Sequence, residues 1–268
     1  MWLEALESRV LMALSVSLNK GQLVITGSDD ADTINISIAA DQIKVDLNSA
    51  GFTSPLASVR QIRVNGGRGD DRISVDPAVA LPATLQGGGG DDRLQAGGAP
   101  THMAGGPGND FLFGGSAADV LSGGPGIDTA DYSARNGRIK ITLDGKANDG
   151  AVGEANGSEG DNVLADIERV IGGTGNDSIT GSAGRNTLQG GGGNDTLVGA
   201  RGDDLLIGGP GNDLLQGCEN NDILIDVDGS TGDTLDGGPG YDVAVFDSID
   251  GDLDHLLGVD ADVPVILA

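Results

Sequence analysis

Gly190-Gly-Gly-Gly-Asn-Asp-Thr-Leu-Val198 is one copy of a nine-residue pattern, G-G-x-G-x-D-x-U-x with U a large apolar residue, that recurs along most of the chain. Copies follow one another without a gap from Gly172 to Ile225, starting at 172, 181, 190, 199, 208 and 217. A second unbroken block runs from Gly87 to Asp131, with starts at 87, 96, 105, 114 and 123. Looser copies start at 27, 66, 228 and 237. Thirteen of these fifteen copies carry Asp in slot six, so a carboxylate is the most regular chemistry of the repeat.

Six slots of each copy are turn chemistry and three are strand. Glycines in slots one, two and four admit a tight loop and leave backbone carbonyls open. Slots seven to nine alternate out, in, out, so U alone faces inward: Ile179, Leu188, Leu197, Leu206, Leu215 and Leu224 in the second block. Two copies then make one coil of a flattened parallel solenoid, with a loop on each edge and strands stacked about 4.8 Å apart. One inward aliphatic per nine ordered residues is a thin core against the entropy of ordering them. Stacking also brings slot-six carboxylates together, which repels unless a cation sits between them. The metal-free chain is therefore expected to be marginal or unfolded, with cation binding coupled to folding.

Composition agrees. The chain has 268 residues, 48 glycines and a formal charge of -26, which argues against nucleic acid or anionic membranes and favours cations as partners. No apolar run reaches the length of a membrane span. The lone Cys218 excludes an internal disulfide framework. The loops offer carboxylate and carbonyl oxygen, with no His or Cys in register. Hard oxygen donors in a flexible site select Ca²⁺ over Mg²⁺ and exclude Zn²⁺.

Outside the blocks, alternation between Val16 and Val64 reads as strands, as do Arg138–Leu143 and Ile167–Ile171. Between the latter two lies a Gly/Asn/Glu-rich stretch, Asp144–Asn162, read as a long surface loop. The expected organisation is 1–14 an amphipathic or targeting-like segment, 15–65 β-rich coils, 66–131 a first block, 132–171 inserted strands and loop, 172–245 a second block and 246–268 an acidic then apolar tail. Leu3, Leu6, Val10, Leu11 and Leu14 share one helical face, a short N-terminal helix. Leu6-Glu-Ser-Arg-Val-Leu-Met12 resembles the LEPR-x-LL segment of planctomycete cell-surface and exported proteins, with Ser8 in place of Pro and Met12 in place of Leu.

From Gly66 to Val245 the repeat resembles the RTX, or hemolysin-type, calcium-binding family. That resemblance implies an all-β, right-handed parallel β-roll that holds several Ca²⁺ ions between loops one full coil apart. The implied ligands are slot-six carboxylates and loop carbonyls: Asp71, Asp92, Asp110, Asp128, Asp177, Asp195, Asp204, Asp213, Asp222, Asp233 and Asp242, with Gly106, Gly108, Gly173, Gly175, Gly191, Gly193, Gly209 and Gly211. Within each block, intact loops (87, 105, 123; 172, 190, 208) alternate with altered ones (96, 114; 181, 199, 217). Loops nine residues apart lie on opposite edges. This predicts one edge with strong sites, between Asp92 and Asp110, Asp110 and Asp128, Asp177 and Asp195, and Asp195 and Asp213. The other, with Thr101, Asn186, Asp204 and Asp222, is expected to be weak or empty. Two extra residues, Asp226-Val227, disturb the phase before Asp233 and Asp242.

Other signals carry less. Arg68-Gly-Asp70 and Arg201-Gly-Asp203 arise when Arg fills slot three before the slot-four Gly. Asp250-x-Asp252-x-Asp254 lacks the Gly and Glu of an EF-hand loop. His102 and His255 have no nucleophile beside them, and there is no HExxH motif. Tyr132 and Tyr241 are expected to cap edges of the roll. The sequence thus points to a non-enzymatic, bacterial, secreted or cell-surface calcium-binding β-roll, folding in extracellular calcium and serving a structural or adhesive role. The alternative is a non-catalytic calcium-binding module of an exported RTX protease or polysaccharide-modifying enzyme.

Overall fold

The computed structural model describes residues 14–153, 159–230, 232–246, 255–257 and 266–267. The N-terminal helix expected over Trp2–Leu14 lies outside the described residues, apart from Leu14, as does Asp250–Asp254 of the tail. What is described is a β-solenoid of about nine turns, built almost wholly of parallel pairs.

One face is a single thirteen-stranded sheet that runs the length of the roll. Its strands include Arg72–Val75, Arg93–Gln95, Phe111–Phe113, Thr129–Asp131, Arg169–Ile171, Thr187–Gln189, Leu205–Ile207, Ile223–Asp226 and Val243–Phe246. The opposite face is divided into two seven-stranded sheets. One contains Gln61–Arg68, Ala83–Gly89, Thr101–Ala104, Val120–Ser122 and Asn162–Val163, the other Ile139–Thr142, Ser178–Thr180, Thr196–Arg201, Leu214–Glu219 and Thr234–Asp236. In-register pairs stack like on like, as Leu188 on Leu206 on Leu224 and Ile179 on Leu197 on Leu215 on Leu235. These slot-eight residues form the core and are essentially fully buried. The repeat's period of nine is thus read out as one inward residue per strand, and two nine-residue units close each coil.

The first coil is built differently. Ser15–Asn19 pairs antiparallel with Gln22–Thr26 through a tight turn at Lys20-Gly21, and Thr33–Ala39, Gln42–Leu47 and Ala50–Pro55 form an antiparallel meander at the end of the long sheet.

The stretch 132–171 forms one enlarged coil, in which Asp128 and Glu168, forty residues apart, stand on adjacent levels. The expectation of a surface loop over Asp144–Asn162 holds for Asp144–Asn148, which are exposed, but not for the residues around Asp149 and Asp161. Asp149 and Asp161 are fully buried, Gly150–Ala151 pairs with the Ile139 strand, and Asn162–Val163 joins the sheet behind Val120–Ser122. Tyr132 is likewise buried rather than capping an edge; its hydroxyl donates to Asp161 Oδ2 at 2.9 Å. Tyr241 is exposed.

Candidate metal centre

Asp195 shows how each loop is assembled. Its amide donates to Asp213 Oδ1 at 2.7 Å, and its own Oδ1 accepts the Asp177 amide at 2.7 Å. One carboxylate oxygen per level is therefore spent on stitching successive coils together. The residue is 2% exposed, and its other oxygen, Oδ2, has no hydrogen-bond partner. Slot-one glycine is required by this packing, because a Cβ on Gly190 would overlap Asp195 Oδ2. Slots two and four are required for a second reason. Gly191 and Gly193 hold φ of 109° and 112°, and a Cβ on either would collide with the carbonyl of Gly173 or Gly175 one coil below. Carbonyl oxygens and a carboxylate oxygen thus line the same edge at each level.

The same stitch forms two ladders. Loops leading into the thirteen-stranded sheet make an entry edge, where amide donates to carboxylate from Asp32 to Asp71, Asp92, Asp110, Asp128 and Glu168, and again from Asn186 to Asp204, Asp222 and Asp242. Loops leading out of that sheet make an exit edge, from Thr101 to Asp119 and Asp161, and then from Asp177 to Asp195, Asp213 and Asp233. The two-residue insertion at Asp226-Val227 is absorbed: Asp213–Asp233 and Asp222–Asp242 are each twenty apart, yet make the same bond.

Two loop states can be told apart. Among the described residues, Oδ2 of Asp71, Asp92, Asp110, Asp128, Asp195, Asp204, Asp213 and Asp222 is buried without a hydrogen-bond partner. In every one of those loops the slot-two residue, for instance Gly106, Gly209, Ala200 or Cys218, has positive φ. In the other state the slot-two amide turns inward and donates to the slot-six side chain. Gly115 bonds Asp119 in this way, Gly173 bonds Asp177, Ser182 bonds Asn186 and Ser28 bonds Asp32, at 2.5–2.9 Å. The inward amide satisfies the oxygen that a cation would otherwise complete. We term these open and closed loops.

This sorting differs from the expected division into a strong and a weak edge. Arg169–Ile171 stacks on Thr129–Asp131 in the long sheet, so the loop at 172 leaves that sheet whereas those at 87, 105 and 123 enter it. The glycine-rich loops of the two blocks therefore lie on opposite edges. Asp204 and Asp222, expected to be weak, sit in open loops; Ala200, Cys218 and Asn220 adopt φ of 83°, 80° and 88° despite their side chains. Asp177, expected to be strong, sits in a closed loop, and Asp233 Oδ2 accepts the Ser230 hydroxyl at 2.9 Å. Thr101 and Asn186 bring no carboxylate; the Thr101 hydroxyl donates to Ala99 O, and the Asn186 side-chain Nδ2 donates to the Ile167 and Glu168 carbonyls. Gly106, Gly108, Gly173, Gly175, Gly191, Gly193, Gly209 and Gly211 all stack at these loops; Gly173 and Gly175 lack the positive φ of the others.

Electrostatics separate the open carboxylates from ordinary ones. Burial pushes Asp195 up from 3.8 to about 7, the Asp177 amide pulls it back, and the charges of Asp213 and Asp177 push it up again. Asp92 is likewise pushed up to about 7, and Asp71, Asp110, Asp128, Asp204, Asp213 and Asp222 to about 6, in each case first by burial and also by neighbouring carboxylates. A stack of buried anions spaced one strand apart, each with a free oxygen, fits a hard divalent cation.

Across the enlarged coil the chain supplies its own counter-groups. Asp119 and Asp161 are satisfied by Gly115, Thr101, Asp119 and Tyr132 donors, Arg135 pairs with Glu159 at 2.6 Å, and the Arg135 guanidinium also donates to Gly115 O.

Fold and site together define a parallel β-roll with ladders of buried carboxylates along both edges. The model of the RTX calcium-binding nonapeptide repeat, a four-copy unit, matches residues 84–99, 102–130, 164–197, 171–206 and 198–225. Residues 84–130 and 164–225 therefore carry hemolysin-type calcium-binding repeats, and the β-roll that they build is a calcium-binding one. No curated protein matched the chain.

Proposed function

We propose that the chain is an exported or cell-surface β-roll that completes its fold on meeting extracellular calcium, and that it serves a structural or adhesive role without a catalytic site of its own. The buried Oδ2 oxygens of the open loops carry this reading. Leaving so many buried anionic oxygens without a partner is costly, and a bound divalent cation removes that cost. Ca²⁺ would be held by Asp92 with Asp110, Asp110 with Asp128, Asp195 with Asp213 and Asp204 with Asp222. Carbonyls of the stacked glycines, such as Gly88, Gly90, Gly191 and Gly193, would complete each shell. The ion supplies charge neutralisation and cross-linking between coils; the side chains supply register.

Export follows from the affinity such sites reach. Shells of two carboxylates and carbonyls suit extracellular modules with Kd of roughly 10⁻⁴–10⁻³ M, far above cytosolic calcium. The chain would stay loose inside the cell and close outside it. No described helix is long and apolar enough to cross a membrane. Titrating the chain with CaCl₂ under circular dichroism tests the reading. A rise in β-signal at submillimolar to millimolar calcium, absent with MgCl₂, is expected; a signal unchanged by calcium would overturn it.

A further inference from the structure

The insertion that disturbs the repeat, Asp226-Val227, brings in chemistry that no repeat loop has. In the long sheet Ile225 pairs with Ile207, so the next residue, Asp226, stands above Gly208. In the coil below, that position is a slot-one glycine; here it is an aspartate, 2% exposed. A Cβ on Gly208 would meet both Asp213 Oδ2 and Asp226 Oδ2, so the two oxygens converge on the space the glycine leaves. Carboxylate oxygens of Asp226, Asp228 and Asp233 in turn all lie within 4.8 Å of one another, a spacing that ligands of one calcium ion can adopt. Asp213 Oδ2, buried and without a hydrogen-bond partner, adjoins this cluster through Asp226 Oδ2, which it meets over Gly208.

The loop around the cluster is tied down. The Gly211 amide donates to Asp228 Oδ2 at 2.7 Å and the Ser230 amide to Asp228 Oδ1 at 2.7 Å. The Ser230 hydroxyl lies 2.6 Å from Gly211 O and 2.9 Å from Asp233 Oδ2, and Asp233 Oδ1 accepts the Asp213 amide at 2.8 Å. These bonds hold Asp228 and Asp233 in place without calling on Asp213 Oδ2.

We infer that Asp213, Asp226, Asp228 and Asp233 form a calcium site distinct in composition from the repeat sites and tighter than them. It rests on the reading of the chain as a calcium-binding β-roll. A repeat site offers two carboxylates with carbonyls; this one offers four carboxylates. Calcium affinity climbs by decades with the number of charged ligands and the rigidity of the loop. The site lies at the C-terminal end of the second block, on the exit edge, so it would load first and seed the coils stacked below it through Asp213 and Asp195.

Calorimetric titration of the full chain with CaCl₂, with MgCl₂ as control, tests this on Asp226→Asn, Asp228→Asn and, in the first block, Asp110→Asn. The unaltered chain should show a step of about one ion, roughly tenfold or more tighter than the rest. Both Asp226→Asn and Asp228→Asn should remove that step while the weaker steps and the calcium-saturated β-signal remain; Asp110→Asn should leave it intact. If the tight step is missing from the unaltered chain, or unchanged in both loop variants while Asp110→Asn lowers the weak binding, the inference fails and the β-roll reading stands. No calcium binding by any form would refute both.

Discussion

Replacing Asp195 by Asn should move the protein in opposite directions with and without calcium. The side-chain oxygen that accepts the Asp177 amide survives in Asn, so the stitch between coils is kept. What is lost is the buried charge on Oδ2. Without calcium that charge is a burden: burial and the neighbouring carboxylates of Asp213 and Asp177 push the Asp195 pKa up to about 7. A shift of that size is worth on the order of 2 kcal/mol once solvent screening at a loop is allowed for. At pH 8 the calcium-free variant should therefore be more structured than the parent, by up to ~2 kcal/mol. With calcium, the same change removes one of the two charged ligands of the proposed Asp195–Asp213 site, and the calcium midpoint should rise about tenfold, which is ~1.4 kcal/mol. Circular dichroism at pH 8 reads both, with the calcium-free arm run in a stabilising osmolyte to populate the roll. A variant that is less structured without calcium, or whose calcium midpoint is unmoved, would refute the claim that Oδ2 is held for a cation.

Four further outcomes are expected. Asn186→Ala should leave the calcium midpoint alone but lower the stability of the calcium-loaded roll by ~1–3 kcal/mol in urea unfolding, because it strips the acceptor from the Ser182 amide in a closed loop. Gly191→Ala should abolish calcium-induced β-structure in the second block, since φ is 109° and the new methyl would meet the Gly173 carbonyl, which cannot move aside. Ala200→Gly, at φ 83°, should instead raise the melting temperature, by about 0.5–1 kcal/mol of stability. Acidification should favour the calcium-free roll. The open-loop carboxyls titrate near 6–7 when folded against 3.8 for a free group, so stability is full below about 3.8 and is lost as pH rises through 6–7. Calcium affinity should instead fall as pH drops through 6–7, because protons then compete for the carboxylates; a calcium-free β-signal that weakens between pH 7.5 and 5 would contradict this.

The architecture was legible from slots one to nine because a strict period leaves few alternatives: slot eight became the core at Leu188, Leu197 and Leu206, and slot six the inward carboxylate at Asp195. What stayed hidden depends on backbone state rather than residue type. Asp177 and Asp195 read alike in sequence, yet the Gly173 amide turns toward one and the Gly191 amide does not turn toward the other. Conversely, Ala200 and Cys218 look like decayed glycines, yet they stand in register with each other and both adopt the left-handed region. The exchange of glycine-rich loops between edges could not be seen, because it depends on how the coil 132–171 rejoins the long sheet at Arg169. Asp226 read as a phase error, and its meaning appeared only when it stood above Gly208 beside Asp213.

The central claim is that calcium completes the buried carboxylates and, in doing so, folds the roll. A calcium titration of the full chain, followed in parallel by circular dichroism and by counting bound ions, tests it most directly. The account predicts little β-structure without calcium, a cooperative rise at submillimolar to millimolar calcium as several ions bind, and no rise with magnesium. A chain fully folded without calcium, or folded equally well by magnesium, would contradict it.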